Sequence, residues 1–167
     1  INTEFSKFAT NIASDIIYKF ITDYLLTNSE NANSQKYNEL RYADYDEINE
    51  LLEYDFELER KKDYANINIE SQAVNVAKFI SGIWQIHPFR EGNTRTIAVF
   101  AIKYLQNKGF DINNNIFKEN SKYFRDALVK ANYENMREGI KSDFTYLERF
   151  FNKFILNKEI RLKPFDS

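Results

Sequence analysis

The sequence has no cysteine, only four glycines and two prolines, and a single histidine. Without cysteine there can be no disulfide, no thiolate nucleophile and no zinc–thiolate site. The scarcity of glycine and proline disfavours a many-stranded sheet with frequent tight turns, and it favours long helices. Because His87 is the only histidine, any imidazole chemistry has to take place at that residue.

The chain also lacks a strong excess of charge and any long apolar run. Its 25 acidic and 23 basic residues give a net charge of −2, without the basic excess that nucleic-acid binders show. No apolar run approaches the ~18 residues of a membrane span, and no signal-peptide core precedes a small-residue cleavage site. We therefore expect a cytoplasmic protein that binds neither nucleic acid nor membrane, with secretion as an effector left open. Residue 1 is isoleucine rather than methionine, so further sequence upstream is also left open.

What the sequence does have is a large share of apolar and aromatic residues. Apolar residues make up 43% of the 167 residues, and they include 15 Phe and 11 Tyr. A chain of this length forms one domain that can bury roughly 70% of its unfolded surface. We predict a single domain over residues 1–167 with an aromatic-rich core over about 45–157 and an N-terminal helix over about 3–26.

Apolar residues recur at the three- and four-residue spacing of amphipathic helices along most of the chain. After the N-terminal helix, this spacing predicts helices at about 70–86, 93–108, 117–133 and 144–156. Gly109 is placed to end the second of these four as the glycine just past a helix terminus. The sequence therefore predicts an all-α bundle.

One segment supports two interpretations. Residues 45–52 show helical spacing, but Tyr54, Phe56 and Leu58 then alternate with acidic residues, which is the period of a strand. A turn-like basic cluster follows at residues 60–63. Either a short β-hairpin lies here, or one amphipathic helix runs through the whole segment.

The most informative stretch is HPFREGNTR, residues 87–95, which separates two apolar-striped segments. It places the imidazole of His87 four residues before the carboxylate of Glu91 and eight before the guanidinium of Arg95. Between these side chains lies a turn that feeds directly into a helix. Its residues are Gly92, Asn93 and Thr94. Such a turn directs backbone N–H groups at one point beside the positive end of a helix dipole, which makes an anion site. A base, an acid, a guanidinium and an anion site together indicate chemistry on a phosphate.

These residues resemble the signature of the Fic family, H-x-F-x-[D/E]-G-N-x-R. The stretch departs from the commonest pattern at two positions: Thr94 stands where a second glycine is usual, and Ala98 stands where a second arginine is usual. Beyond the motif, the resemblance rests on helix order and covers roughly the central 100 residues. It implies a Fic-type helical bundle, in which a hairpin called the flap precedes the active loop and pairs with the backbone of the target.

The resemblance also implies a reaction, its cofactors and the role of each residue. Fic proteins typically transfer AMP from ATP to a hydroxyl side chain of a target protein. His87 would be the catalytic base that takes the proton from a Ser, Thr or Tyr hydroxyl, and Glu91 would hold Mg²⁺ between the phosphates. The remaining motif residues would bind the phosphates of the nucleotide. They are Gly92, Asn93, Thr94 and Arg95. The resemblance leaves the oligomeric state open.

Other interpretations remain at this stage. The domain could transfer a different phosphate-containing group, such as UMP, phosphocholine or phosphate, with the same loop chemistry. It could also be a non-catalytic module that binds a nucleotide or a protein, with the missing arginine as a sign of lost activity. Among single residues, Glu91 could form an ion pair with Arg95, and Thr94 could be a plain helix N-cap.

Overall fold

The computed structural model of the chain describes residues 40, 42–89, 91–156 and 159–162. The helix expected over residues 3–26 lies outside these residues. The described residues form six α-helices, and their only β-type pairing is an isolated bridge between Asn135 and Ile140. The predicted all-α fold is therefore confirmed. None of the described helices combines the length and the apolarity needed to cross a bilayer.

The six helices follow one another with short connections. They are α1 (Ile48–Arg60), α2 (Ile69–Ile86), α3 (Asn93–Asn107), α4 (Asn114–Glu119), α5 (Ser121–Asn132) and α6 (Thr145–Ile155). Single turns of 3₁₀-helix at Tyr45–Glu47 and Tyr64–Asn66 precede α1 and α2. The longest helix, α2, packs against α1, α3, α5 and α6. Residues 87–92, here called the motif loop, connect α2 to α3. Because α2 lies at the centre of the bundle, the motif loop starts from a firmly packed helix end.

The core is rich in aromatic side chains, as the composition predicted. Between α1, α2 and α3, the rings of Phe56, Phe79 and Phe100 meet edge to face, with centroids 5.5–5.9 Å apart. A second cluster of buried phenylalanines joins α4, α5 and α6. Edge-to-face pairs of this kind add to the stabilisation that burial alone provides.

The hairpin interpretation of residues 54–63 is wrong, because α1 runs without a break through Arg60. Four of its residues are buried at helical spacing. They are Ile48, Leu52, Phe56 and Glu59. A strand would place Tyr54 and Leu58 on the same face as Phe56, but their side chains are 60% and 44% exposed. The helical period decided the fold of this segment, and the described residues contain no flap.

Two other boundaries show how local side chains set the helix ends. At Gly109, which has φ 88°, the N–H of Phe110 donates to the Leu105 carbonyl at 3.0 Å and ends α3, as predicted. The single helix predicted over 117–133 is in fact two helices, α4 and α5. They part at Asn120, whose side-chain amide donates to the Ile116 carbonyl at 2.8 Å and so ends α4.

A buried carboxylate connects the end of α1 to the end of α3. Glu59 is 4% exposed, and it accepts hydrogen bonds from the hydroxyls of Tyr64 and Tyr104. Lys62 pairs with the same carboxylate at 2.8 Å. The ammonium of Lys108 lies 3.7 Å from the centre of the Tyr64 ring. This Glu59 cluster satisfies a charge that would be costly to bury alone.

Candidate active site

The motif loop turns sharply at both of its ends. His87 ends α2 with φ 54° and ψ 52°, and Gly92 precedes α3 with φ 79°. Within the part of the chain that the structure describes, His87 is the only residue other than glycine with a positive φ. A non-glycine residue held in this region costs about 1–3 kcal/mol and is typical of functional sites.

Asn93 fixes the path of the loop. Its side chain is buried, its Oδ1 accepts a hydrogen bond from the Phe89 N–H at 2.9 Å, and its Nδ2 donates to the Phe89 carbonyl. Phe89 is itself 6% exposed and packs into the core. The loop is therefore held from both sides, by a reciprocal pair of hydrogen bonds and by a buried ring.

The start of α3 is left free for an anion. No side chain of the described residues caps this helix, and its first internal hydrogen bond runs from the Thr96 N–H to the Gly92 carbonyl at 2.9 Å. The amides at the start of the helix therefore point out of it without an internal acceptor. The guanidinium of Arg95 is exposed and lies beside Gly92, where a Cβ would come within 3.7 Å of its Nη2. The helix dipole, the free amides and this cation together suit a phosphate.

The imidazole of His87 is half-buried among aromatic rings. The Tyr42 ring lies over it at a centroid distance of 3.9 Å, and the Trp84 ring meets it edge-on at 5.8 Å. Nδ1 is buried and has no hydrogen-bond partner among the described residues, whereas Nε2 is not enclosed in this way. Nε2 is therefore the nitrogen that a substrate can reach.

The surroundings of His87 favour its neutral form. Burial lowers the pKa of the imidazole below its ordinary value of 6.5, and the Trp84 carbonyl opposes this only in part. That carbonyl is near enough to the imidazole to favour its charged form, but the only hydrogen bond with good geometry that it accepts from His87 is from the backbone N–H, at 3.1 Å. A neutral imidazole at pH 7 is able to accept a proton.

Thr94 is not the helix N-cap, because Gly92 occupies that position. Its hydroxyl instead accepts a hydrogen bond from the indole N–H of Trp84 at 3.1 Å. This contact joins the last turn of α2 to the first turn of α3. Ala98, one turn further along, is half-buried and packs against the core.

Glu91 projects from the loop into solvent. The alternative ion pair with Arg95 does not form, since neither side chain takes part in any salt bridge of the described residues. No group of three or more acidic or histidine side chains in the described part could hold a metal by itself. A lone carboxylate nevertheless suits Mg²⁺, which usually takes one or two carboxylates and completes its shell with phosphate oxygens and water.

The described motif residues lie together in the motif loop and the first turn of α3. Two further residues contact His87 that sequence reasoning missed, Trp84 and Tyr42. Trp84 precedes His87 by one helical turn, and that spacing could have revealed its contact. Tyr42 lies 45 positions before His87 in the sequence, and no local pattern indicates that the two rings meet. Arg90, which also belongs to the motif stretch, lies outside the described residues.

Comparison with known proteins identifies one family. The model of the Fic/DOC family matches residues 14–105, which is more than half of the chain. The matched range contains α1, α2, the motif loop and most of α3. No curated protein and no solved structure matches the chain.

Proposed function

The chain belongs to the Fic/DOC family, and we propose that it transfers AMP, or a related nucleotide monophosphate, from ATP to a hydroxyl side chain of a target protein. Proteins of this family generally transfer nucleotide or phosphate-containing groups. One observation carries the finer proposal. The open edge of the His87 imidazole and the uncapped start of α3 belong to the same short loop, and Asn93 holds that loop rigid.

The base in the proposed reaction is Nε2 of His87. It accepts the proton of a Ser, Thr or Tyr hydroxyl while the hydroxyl oxygen attacks the α-phosphorus of the nucleotide. A new O–P bond forms, the bond from the α-phosphorus to the bridging oxygen breaks, and pyrophosphate leaves. The burial that lowers the pKa of His87 supports this role, because it keeps the imidazole neutral before each turnover.

The anion site accounts for most of the proposed rate enhancement. The backbone amides of Gly92, Asn93 and Thr94 and the guanidinium of Arg95 would bind the phosphates at the positive end of the α3 dipole. These donors are fixed before the substrate arrives, so they hold it for attack and stabilise the charge that develops on its oxygens.

Glu91 would hold Mg²⁺ at this site. Its carboxylate is exposed directly before the anion site and takes part in no ion pair of the described residues, which supports this assignment. When bound, Mg²⁺ would neutralise charge on the phosphates and on the leaving pyrophosphate. The proposed partners are thus a nucleotide and a protein with an accessible hydroxyl, and the reaction fits a cytoplasmic location. Neither nucleic acid nor a membrane is part of the proposal.

The position of a radioactive label tests the proposal. The protein is incubated with cell lysate and with ATP labelled on either the α- or the γ-phosphate, and His87→Ala serves as the inactive control. We expect label from α-phosphate on protein and none from γ-phosphate. Transfer of the γ-label would replace the proposal with phosphate transfer. Nucleotide binding without any transfer would indicate a non-catalytic module.

A further inference from the structure

We propose that Tyr42 is a positioning residue for His87: its ring, together with that of Trp84, holds the imidazole in the orientation that presents Nε2 to the substrate. The three rings contact one another in pairs. Tyr42 stacks on His87 at 3.9 Å with 35° between the ring planes, Trp84 meets His87 edge-on at 82°, and Tyr42 meets Trp84 at 6.2 Å. We call the rings of Tyr42 and Trp84 the aromatic bracket. Rotation of the imidazole away from the aromatic bracket would break both of its ring contacts at once.

The imidazole of His87 depends on packing because its Nδ1 makes no orienting hydrogen bond to any described residue. In most catalytic histidines, the nitrogen that does not face the substrate donates to a carboxylate or a carbonyl, which fixes the ring. Here Nδ1 is buried and has no partner among the residues described. Packing is therefore what remains to hold the ring.

Thr94 anchors the bracket to both helices of the site. Trp84 is 4% exposed, and a buried indole N–H needs an acceptor. The hydroxyl of Thr94 provides it at 3.1 Å. The glycine that is usual at this position has no side chain to do so. Thr94, at which the sequence departs from the common motif, therefore has a physical role. Its hydroxyl fixes the Trp84 ring that lies edge-on to His87.

Charged groups do not dominate the surroundings of the imidazole. The last turn of α2 contains no charged residue. Asp55 of α1 is half-buried against Gly82, more than one turn before His87 on α2, and burial raises the pKa of its carboxyl. Three other charged side chains on neighbouring segments are exposed to solvent. They are Asp44, Glu91 and Arg95. The two aromatic rings consequently set the local environment of His87, and removal of either ring should change it measurably.

The single histidine of the chain makes the test direct. In protein without a histidine tag, a proton–carbon NMR titration follows His87 alone. We expect Tyr42→Ala to raise the pKa of His87 toward 6.5, because the imidazole gains solvent. We also expect kcat to fall by roughly tenfold or more. The KM for the nucleotide should change little, because the anion site is untouched.

Two controls separate the ring from its hydroxyl and from general effects. Tyr42→Phe keeps the ring and should retain both the pKa of His87 and kcat. Tyr54→Ala removes a tyrosine that is 60% exposed on α1, and it should leave both quantities unchanged. If Tyr42→Ala does not fold, Tyr42→Leu takes its place, since leucine fills volume without an aromatic face.

The inference rests on the proposed function for its kinetic readout only. An unchanged pKa and unchanged imidazole shifts in Tyr42→Ala would overturn it, as would an equal loss in Tyr42→Phe. If wild-type protein transfers nothing from any nucleotide but the pKa of His87 moves as expected, the proposed function fails and the aromatic bracket stands.

Discussion

At the scale of single residues, the motif loop divides its polar side chains between two tasks. Asn93 is buried and uses its amide to hold the loop backbone. Glu91 and Arg95 are exposed and take part in no ion pair of the described residues. Exposed side chains without ion pairs contribute little to stability. A substitution at Asn93 should therefore lower stability, whereas one at Glu91 should affect activity alone.

Asn93→Ala should destabilise the protein. The substitution removes the two buried hydrogen bonds between the Asn93 side chain and the backbone of Phe89, which costs about 1–3 kcal/mol. Thermal unfolding followed by circular dichroism measures the effect. Asn115→Ala, at an exposed position on α4, is the matched control and should unfold close to the wild-type temperature. Equal melting temperatures for both variants would show that the hydrogen bonds between Asn93 and Phe89 do not stabilise the loop.

Glu91→Gln should impair catalysis and leave stability unchanged. It removes the charge that Mg²⁺ requires but keeps the size of the side chain, so transfer should fall and its dependence on Mg²⁺ should weaken or shift. Titration of Mg²⁺ in the transfer assay measures this, with the exposed Glu50→Gln on α1 as the control. An unchanged titration curve would place the metal at another residue or exclude its use.

At the scale of elements, the sequence predicted the helices around the loop well and the segment before them poorly. Helices α2 and α3 have long apolar stripes that reveal them in the sequence. Gly109 marks the end of α3, because glycine readily adopts the left-handed conformation that follows a helix. The segment around Phe56 was ambiguous because its apolar residues fit two periods, and burial against α2 decided between them. Such packing is a property of the assembled bundle, and local spacing does not contain it.

The missing second arginine should weaken discrimination between ATP and ADP. A charged hydrogen bond to a terminal phosphate contributes about 1.5–3 kcal/mol, which is roughly 10- to 150-fold in binding. Ala98 cannot form one, so the two nucleotides should bind with similar affinity. Ala98→Arg should raise the affinity for ATP relative to ADP, since this position lies one turn beyond the anion site on α3.

Calorimetry with both nucleotides on both proteins measures this difference. Lys103, an exposed position on the same helix, supplies a charge-neutral control as Lys103→Arg. A strong preference of the native protein for ATP that Ala98→Arg does not alter would mean that another cation already binds the γ-phosphate.

At the scale of the whole molecule, two long-range contacts were beyond the reach of sequence reasoning. The stacking of Tyr42 on His87 and the hydrogen bond from Tyr104 to Glu59 each join residues 45 positions apart. Glu59 lies among the mixed acidic and basic residues that follow Phe56, yet it is 4% exposed. Its charge gave no hint of burial, because the partners that make burial tolerable lie on α3 and on the α1–α2 connection.

The Glu59 cluster should make stability depend on alkaline pH. Burial, followed by the neighbouring Glu59 carboxylate, raises the pKa of Tyr104 well above its ordinary value of 10.0. Above about pH 10 the unfolded chain releases this proton while the folded chain retains it. The stabilising contribution is therefore complete below pH 10 and is lost as the pH rises further.

Urea unfolding of wild type and Tyr104→Phe at pH 8 and pH 11 measures this contribution. The free energy of unfolding should fall less between the two pH values in the variant. Lys108, whose pKa is lowered by burial, and Tyr64, whose pKa is raised by burial, are present in both proteins, so the difference between the proteins reports on Tyr104. An equal fall in both would contradict the assigned role of Tyr104.

Comparing nucleotide binding with transfer in His87→Ala tests directly whether His87 is the base. If Nε2 of His87 takes the proton from the target hydroxyl, the variant should bind ATP nearly as tightly as wild type, because the anion site at the start of α3 is intact. Transfer of label from α-phosphate to protein should be abolished. A variant that binds ATP normally and keeps more than a small fraction of wild-type turnover would show that His87 is not the base.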